Sequence, residues 1–410
     1  MDIKIFKYLG FGVNLLALSN KDKKQHGQNA INSLEALLAF CRDKGLIKEF
    51  LRNFRTGYTE FSDKQFLAHY IITFESGEKW ILFSTTSMRT DRIKGQQWDT
   101  ANIKNIEDAV RKCYLVYPDS VSDDERSEFV LQDNKYTKGE EYSVIDRIVN
   151  QDELFTLIED TCTRSMTTGR SRDLRGRTFE KRVADILSYP VNLTKWVSDD
   201  ELMVGLNYKI FSTIVEKFNI DKKLVATITA TSDETVIGRL PSRGKPKTDV
   251  LVTVTYKDGS EHIYTISCKS TNSNAVSFHQ YSYEAFSKAL DPTNANLKNL
   301  LSEFQKCGNL RDFGEANSNA LTQALRNYNE KLAMWVLGGV YGEGNPETQW
   351  AKYLLAYNNA DGTFNIHTIE EYYQKLKDAG ITGHFGTVFS WTFASGQKGK
   401  SIQLKCKVIK

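Results

Sequence analysis

Residues 249–269 read DVLVTVTYKDGSEHIYTISCK. Val250, Val252 and Val254 alternate with Leu251, Thr253 and Thr255, the two-residue period of a strand with one buried face. The run breaks at Lys257-Asp258-Gly259-Ser260 and resumes at Glu261, which is a hairpin signal. Two registers are open to it. A two-residue Asp258-Gly259 turn sets Asp249 opposite Cys268 and sends Ser267 and Lys269 to the other face. A three-residue loop ending in a left-handed Gly259 sets Asp249 opposite Ser267 and diagonal to Lys269, all on one face. The second is expected, because only that register brings an acid and a lysine together.

The resulting pattern, Asp-x17-Ser-x-Lys behind Lys245-Pro246-Lys247-Thr248, carries groups that phosphodiester hydrolysis needs. A carboxylate holds Mg²⁺, the metal lowers the pKa of a bound water, and a lysine stabilises developing charge. Mg²⁺ takes few protein ligands, so Asp249 with the Cys268 carbonyl and Ser267 suffices in outline. Taken alone, the same residues also describe the solvated ends of an ordinary hairpin.

Outward from the hairpin, charge is uneven. Residues 119–160 carry thirteen acidic and four basic side chains, and residues 164–182 reverse this to seven basic and two acidic. A boundary near Cys162 follows, giving a smaller α+β module over 1–162 and a second domain over 163–410. In the first, 29–53 reads as a helix, 66–74 and 79–84 as strands, 84–104 as a loop of cations and amides around Trp98, 117–141 as a connection and 142–161 as a helix. In the second, 177–187 reads as a helix with Glu180 at the margin of its apolar stripe. Residues 278–290, 296–306 and 320–337 read as helices, and 350–357 and 386–394 as strands.

Composition supports a folded chain of two or three domains at roughly 100 to 200 residues each. Of the 410 residues 40% are hydrophobic, and 54 Lys and Arg nearly balance 51 Asp and Glu, so net charge names no partner. No apolar run approaches the ~20 residues that cross a bilayer, and the N-terminus lacks a signal-peptide pattern, so a cytoplasmic protein is expected. Six cysteines without a C-x-x-C pair fit reduced thiols. The histidines form no H-x-x-x-H pair, and no Walker loop is present, so neither a histidine metal site nor a nucleotide cofactor is expected.

Four stretches carry a resemblance: LRGRTFEKRVADIL (174–187), GRLPSRGKPKTD (238–249), ISCKSTNSNAVS (266–277) and FGTVFSWTFASGQKGKSIQLK (385–405). From about residue 173 onward the chain resembles the MspI-like type II restriction endonucleases, a branch of the PD-(D/E)xK nuclease fold. The resemblance implies an α/β domain with a mixed sheet and Mg²⁺-dependent, sequence-specific cutting of double-stranded DNA. It also implies a short GC-rich target such as CCGG, and 5′-phosphate and 3′-hydroxyl ends. It makes Asp249 the metal-binding acid, Lys269 the catalytic lysine and Glu180 a helix glutamate beside the metal. Ser267 falls where the family has Asn and the wider fold a carboxylate, which opens the reading of a DNA-binding protein with a decayed site. A nuclease for modified DNA is a third reading, its mark being an aromatic cage around a flipped base.

The resemblance further implies DNA contacts at Ser277, Thr392, Ser395 and Lys405. Lys398 and Lys400 belong to a basic C-terminal run, and Lys245 and Lys247 precede the hairpin. With Arg172 and Arg175 these are expected to hold phosphates, setting affinity more than sequence preference, while Arg89 and Arg92 belong to the 84–104 stretch, whose mixture of cations, amides and an aromatic suits a groove-reading or strand-binding loop. The sequence leaves monomer and dimer open.

Overall fold

The computed structural model describes residues 20–56, 65–119, 121–137, 143–163, 168–201, 203–271, 275–358, 363–394 and 396–409, with backbone alone at 20, 163 and 168–176. The chain divides into two compact units, Met1–Ser171 with Tyr189–Ser212, and Arg172–Ser188 with Thr213–Lys410. Among the described residues no helix is long and apolar enough to cross a membrane.

In the first unit α1 (Asn20–Asp43) leads into β1 (Glu49–Arg55), β2 (Leu67–Thr73) and β3 (Lys79–Ser84). Next come α2 (Thr90–Ile106), β4 (Val110–Tyr117), α3 (Asp123–Thr137), β5 (Arg147–Asn150) and α4 (Gln151–Thr163). The sheet runs β1-β2-β3-β4-β5, antiparallel to β3 and parallel from β3 to β5. Its core holds Ala68, Ile81, Cys113 and Leu115, all sealed from solvent.

Several expectations for this unit are corrected. The helix read over 29–53 ends at Asp43, because Gly45 at φ +67° closes it: Gly45 N–H donates to Arg42 and Leu46 N–H to Cys41. Residues 49–55 are then a strand. The loop read over 84–104 is mostly helix α2, whose Ile93, Gln96, Thr100 and Ile103 form a buried stripe at helical spacing. The acidic connection contains α3, capped by a Ser122 and Glu125 box and with three acids in its first turn, where the helix dipole favours them. Part of the helix read over 142–161 is strand β5.

Helix α5 (Thr168–Ser188) spans the unit boundary, α6 (Pro190–Ser198) lies in the first unit, and α7 (Tyr208–Lys217) spans the boundary again. The second unit continues with β6 (Val225–Thr231), α8 (Glu234–Ile237), β7 (Val250–Tyr256), β8 (Glu261–Thr271) and β9 (Ala275–Tyr281). It goes on through α9 (Tyr283–Leu290), α10 (Ala295–Cys307), α11 (Leu310–Phe313), α12 (Glu315–Leu325) and α13 (Asn329–Gly338). It closes with β10 (Tyr353–Asn358), β11 (Phe364–Thr368), α14 (Ile369–Asp378), β12 (Ser390–Thr392) and β13 (Ile402–Lys407).

Its larger sheet has the order β11-β10-β8-β7-β6, with β8 parallel to β10 and antiparallel to β7; a smaller sheet has the order β12-β13-β9. The mixed α/β class expected from the sequence is the class found. Val250, Val252 and Val254 are fully buried, each contributing about 1.5–3 kcal/mol. The helix read over 278–290 is a strand to Tyr281 and a helix only from Tyr283; that over 320–337 is broken by a 3₁₀ turn at Arg326–Tyr328; the strand read over 386–394 is reduced to Ser390–Thr392.

Candidate active site

The hairpin takes the three-residue loop. Thr255 pairs with Glu261 and Val250 with Ile266 without a shift between, and Gly259 has φ +84°. Asp258 fixes the loop, its Oδ1 accepting from Ser260 N–H at 2.9 Å and Ser260 Oγ at 2.6 Å. Just beyond the ladder Asp249 N–H donates to Ile266 O at 2.9 Å, and its carboxylate reaches Ser267 Oγ at 3.1 Å.

Asp249 Oδ2 accepts from Ser267 Oγ at 3.1 Å, Cys268 N–H at 2.7 Å and Lys269 Nζ at 3.3 Å. Lys269 Nζ also donates to the Cys268 carbonyl at 3.1 Å. The sequence-predicted Asp249, Ser267, Cys268 and Lys269 are therefore in one cluster. Ser267 is fully buried and its hydroxyl is spent on orienting Asp249. Burial pushes the Cys268 thiol well above its usual range, so it is no nucleophile.

Helix α5 brings Glu180 to this cluster, its neighbour Phe179 packing on Tyr357 of β10 with ring centroids 5.2 Å apart. Burial, then the charge of Asp249, push the Glu180 carboxyl up to about 8, against Lys269, Lys245 and Arg177. Burial opposes the charge on Lys269, but Asp249 and Glu180 outweigh it and raise its pKa. The cluster thus holds one more carboxyl than its local charge can ionise. Two oxygens, Asp249 Oδ2 and the Cys268 carbonyl, already converge on one cationic nitrogen, and both are hard donors of the kind Mg²⁺ takes. Among the described residues no group of three or more His, Cys, Asp or Glu forms a metal site, so a cation here would rest on one or two carboxylates and a carbonyl.

An open cleft runs from this cluster along β9, lined by Lys245, Lys247, Asp249, Lys269, Ser277 and His279 among others. Lys245 is exposed and pairs with Glu234 at 2.5 Å. Lys247 is half-buried and donates to the Phe278 carbonyl; burial, then the charge of Lys269, bring its pKa down to about 7.

The expected DNA-contacting residues fall on the small sheet. Lys405 pairs with Ser390 on one side and Ser277 on the other, and Gln403 with Thr392 and Gln280, so two polar rows cross all three strands. Ser277 and Lys405 are exposed, as are Lys398 and Lys400 in the β12–β13 connection. Gln280, Gln403 and Ser390 were missed, β9 having been read from Phe278 onward as helix. The stretch with the strongest resemblance is largely core: Phe385, Phe389 and Trp391 are buried, with Trp391 Nε1 donating to Thr387 Oγ1 at 3.1 Å. Ser395 and the side chains of Arg172 and Arg175 lie outside the described residues. In the first unit Arg89 and Arg92 are exposed at the start of α2, and Arg89 pairs with Asp91 at 2.7 Å.

Comparison with known proteins gives consistent matches. The family model for restriction endonuclease MspI matches residues 155–406. The type II restriction enzyme BsuFI of Bacillus subtilis is 28% identical over 403 residues, 94% of this chain and 98% of that enzyme. The type II restriction enzyme MspI of Moraxella sp is 26% identical over 245 residues, 58% of this chain and 91% of that enzyme. Among solved structures, restriction endonuclease MspI in complex with its cognate DNA aligns with a TM-score of 0.52 at 22% identity, over 62% of this chain and 98% of that one.

Proposed function

Since the chain belongs to the restriction endonuclease MspI family and is a type II restriction endonuclease, we propose that it cuts double-stranded DNA with Mg²⁺ at the Asp249 and Lys269 site. The observation that carries this is the convergence of Asp249, Lys269 and Glu180 beside a cleft lined by β9, one strand of the polar small sheet.

In this reading Asp249 and the Cys268 carbonyl would hold Mg²⁺, Ser267 orients the carboxylate through its hydroxyl, and Glu180 supplies a second acid beside them. When bound, the ion supplies an activated water and polarises the phosphoryl oxygen. Lys269 stabilises negative charge developing on the phosphate, and ends with 5′-phosphate and 3′-hydroxyl result. Ser277, Thr392, Gln280, Gln403 and Lys405 face the bases, with hydroxyls, amides and a lysine suited to base-edge hydrogen bonds. Ser395 joins Thr392 at the bases; Lys398, Lys400, Lys245 and Lys247 hold phosphates, joined by Arg172 and Arg175, and Arg89 and Arg92 contact DNA from the first unit.

The target is a short GC-rich palindrome such as CCGG, cut in the cytoplasm. Four base pairs are set by a handful of contacts, each worth roughly 1–3 kcal/mol. The test is digestion of a sequenced, unmethylated plasmid with Mg²⁺ and with EDTA, every end being mapped. Mg²⁺-dependent cuts at one repeated short sequence are expected. An intact plasmid with salt-sensitive binding would overturn the reading in favour of a decayed or modification-dependent site.

A further inference from the structure

A second cavity shares walls with the catalytic cleft. It encloses about 200 Å³, and Lys247, His279 and Tyr281 line both. Much of its wall is rings: His279 stacks on Tyr281 at 4.0 Å, Trp335 stands edge-on to His279 at 4.0 Å, and Trp350 and the exposed Tyr341 add to the lining, beside Lys247, Lys288 and Gln349. The backbone of Gly342 passes so close to Trp335 that a Cβ there would lie 2.8 Å from its Nε1, so glycine keeps this wall flat.

His279 is only 3% exposed, yet neither ring nitrogen has a hydrogen-bond partner among the described residues. Buried polar groups are rarely left so. Burial, then the charge of Lys247, hold the ring neutral, with one N–H donor and one bare acceptor. Glu343 adds an acceptor whose charge is felt at Tyr281. The cavity therefore asks for a flat ring with a hydrogen-bonding edge. Its size fits one such ring, since an apolar cavity of about 150 Å³ already admits benzene.

We propose that this cavity receives a single nucleobase swung out of the duplex, stacked on Trp335 and Tyr281 and read at its edge by His279 and Glu343. The inference rests on the cleft holding DNA, because the shared wall then puts bases at the mouth of the cavity. Glu343 accepts and does not donate, so it takes an N–H donor on the edge of the base, an exocyclic amino group or a ring N–H.

Swinging a base out costs its pairing and stacking, and a mismatch removes part of that cost. Duplexes bearing the cut sequence, or the footprinted sequence if no cut occurs, are given one mismatch at a time and titrated with the full chain in EDTA. At one position the mismatch tightens binding about tenfold, and 2-aminopurine placed there brightens on binding. Ala285→Phe, which fills the cavity from α9, loses the tightening while melting with wild type. A flat scan with dark 2-aminopurine at every position overturns the proposal, whether or not Ala285→Phe folds. The readouts separate from the nuclease reading: an intact plasmid with a peaked scan defeats catalysis alone, and a cut plasmid with a flat scan defeats the pocket alone.

Discussion

Each unit holds an aspartate on the same kind of scaffold. In the first, Asp146 accepts from the backbone N–H of Cys113 at 2.9 Å and from Lys104 and Lys112 at 3.1 and 2.9 Å. In the second, Asp249 accepts from the backbone N–H of Cys268 at 2.7 Å, from Lys269 at 3.3 Å and from Ser267. The difference is the charge count. Burial works against the charge of Asp146, but two lysines and the amide outweigh it and hold its carboxyl below the usual range. Around Asp249 a serine replaces one lysine and Glu180 is added, so a carboxyl is left protonated up to about pH 8. A cluster that neutralises itself is structural; one with a carboxyl to spare fits the cation that the proposed function places there.

The strongest way to break that distinction is to remove each acid. Asp249→Asn and Lys269→Ala are each expected to lower cleavage by on the order of a thousandfold, with the melting temperature and DNA affinity largely kept. Asp146→Asn should do the opposite, costing about 1–3 kcal/mol in urea denaturation while the folded fraction cuts at the wild-type rate. Equal losses of activity from both would erase the contrast.

The spare carboxyl gives the next largest effect. Folded Glu180 keeps its proton to about pH 8, whereas an unfolded glutamate loses it near 4.5. Between these values the folded chain binds the extra proton, so stability in EDTA falls as pH rises. Glu180→Gln should flatten that slope in thermal melts from pH 5 to 9. Mg²⁺ titrated into wild type at pH 7 should release a proton, detectable in a weakly buffered solution, and the variant should release less.

Smaller changes are expected where charges meet DNA. Lys405→Ala should weaken binding about tenfold and relax discrimination at one base pair of the cut sequence. Arg92→Ala should leave specificity alone and reduce the salt slope of binding by about one; Arg89→Ala should do less, because Asp91 already holds that guanidinium.

What could be read in advance follows from range. The β7–β8 hairpin is local: its alternation and its Gly259 loop lie within twenty-one residues, so register and the Asp249, Ser267 and Lys269 cluster were legible. The fold class followed from resemblance as well as pattern. Strand β9 was not legible as a strand, because its apolar Phe278 and Tyr281 sit three apart and imitate a helix, across the point where the pairing of β9 with β13 shifts. Gln280, Gln403 and His279 were hidden with it. Helix α2 was lost because polar Gln96 and Thr100 occupy its buried face. The protonated state of Glu180 depends on a partner sixty-nine positions away, beyond any local pattern.

The hairpin loop has a consequence in the arithmetic of odd and even. A loop of three residues pairs odd-numbered positions with odd, so Asp249, Ser267 and Lys269 fall together; a loop of two would pair Asp249 with Cys268 and divide them. Strand β8 offers little to resist such a slip, since Thr265, Ile266, Ser267 and Cys268 are all buried and neither face is marked as the inner one. Parity is instead kept by Asp258, whose carboxylate grips Ser260 at the exposed tip, nine residues along the chain from the acid it serves.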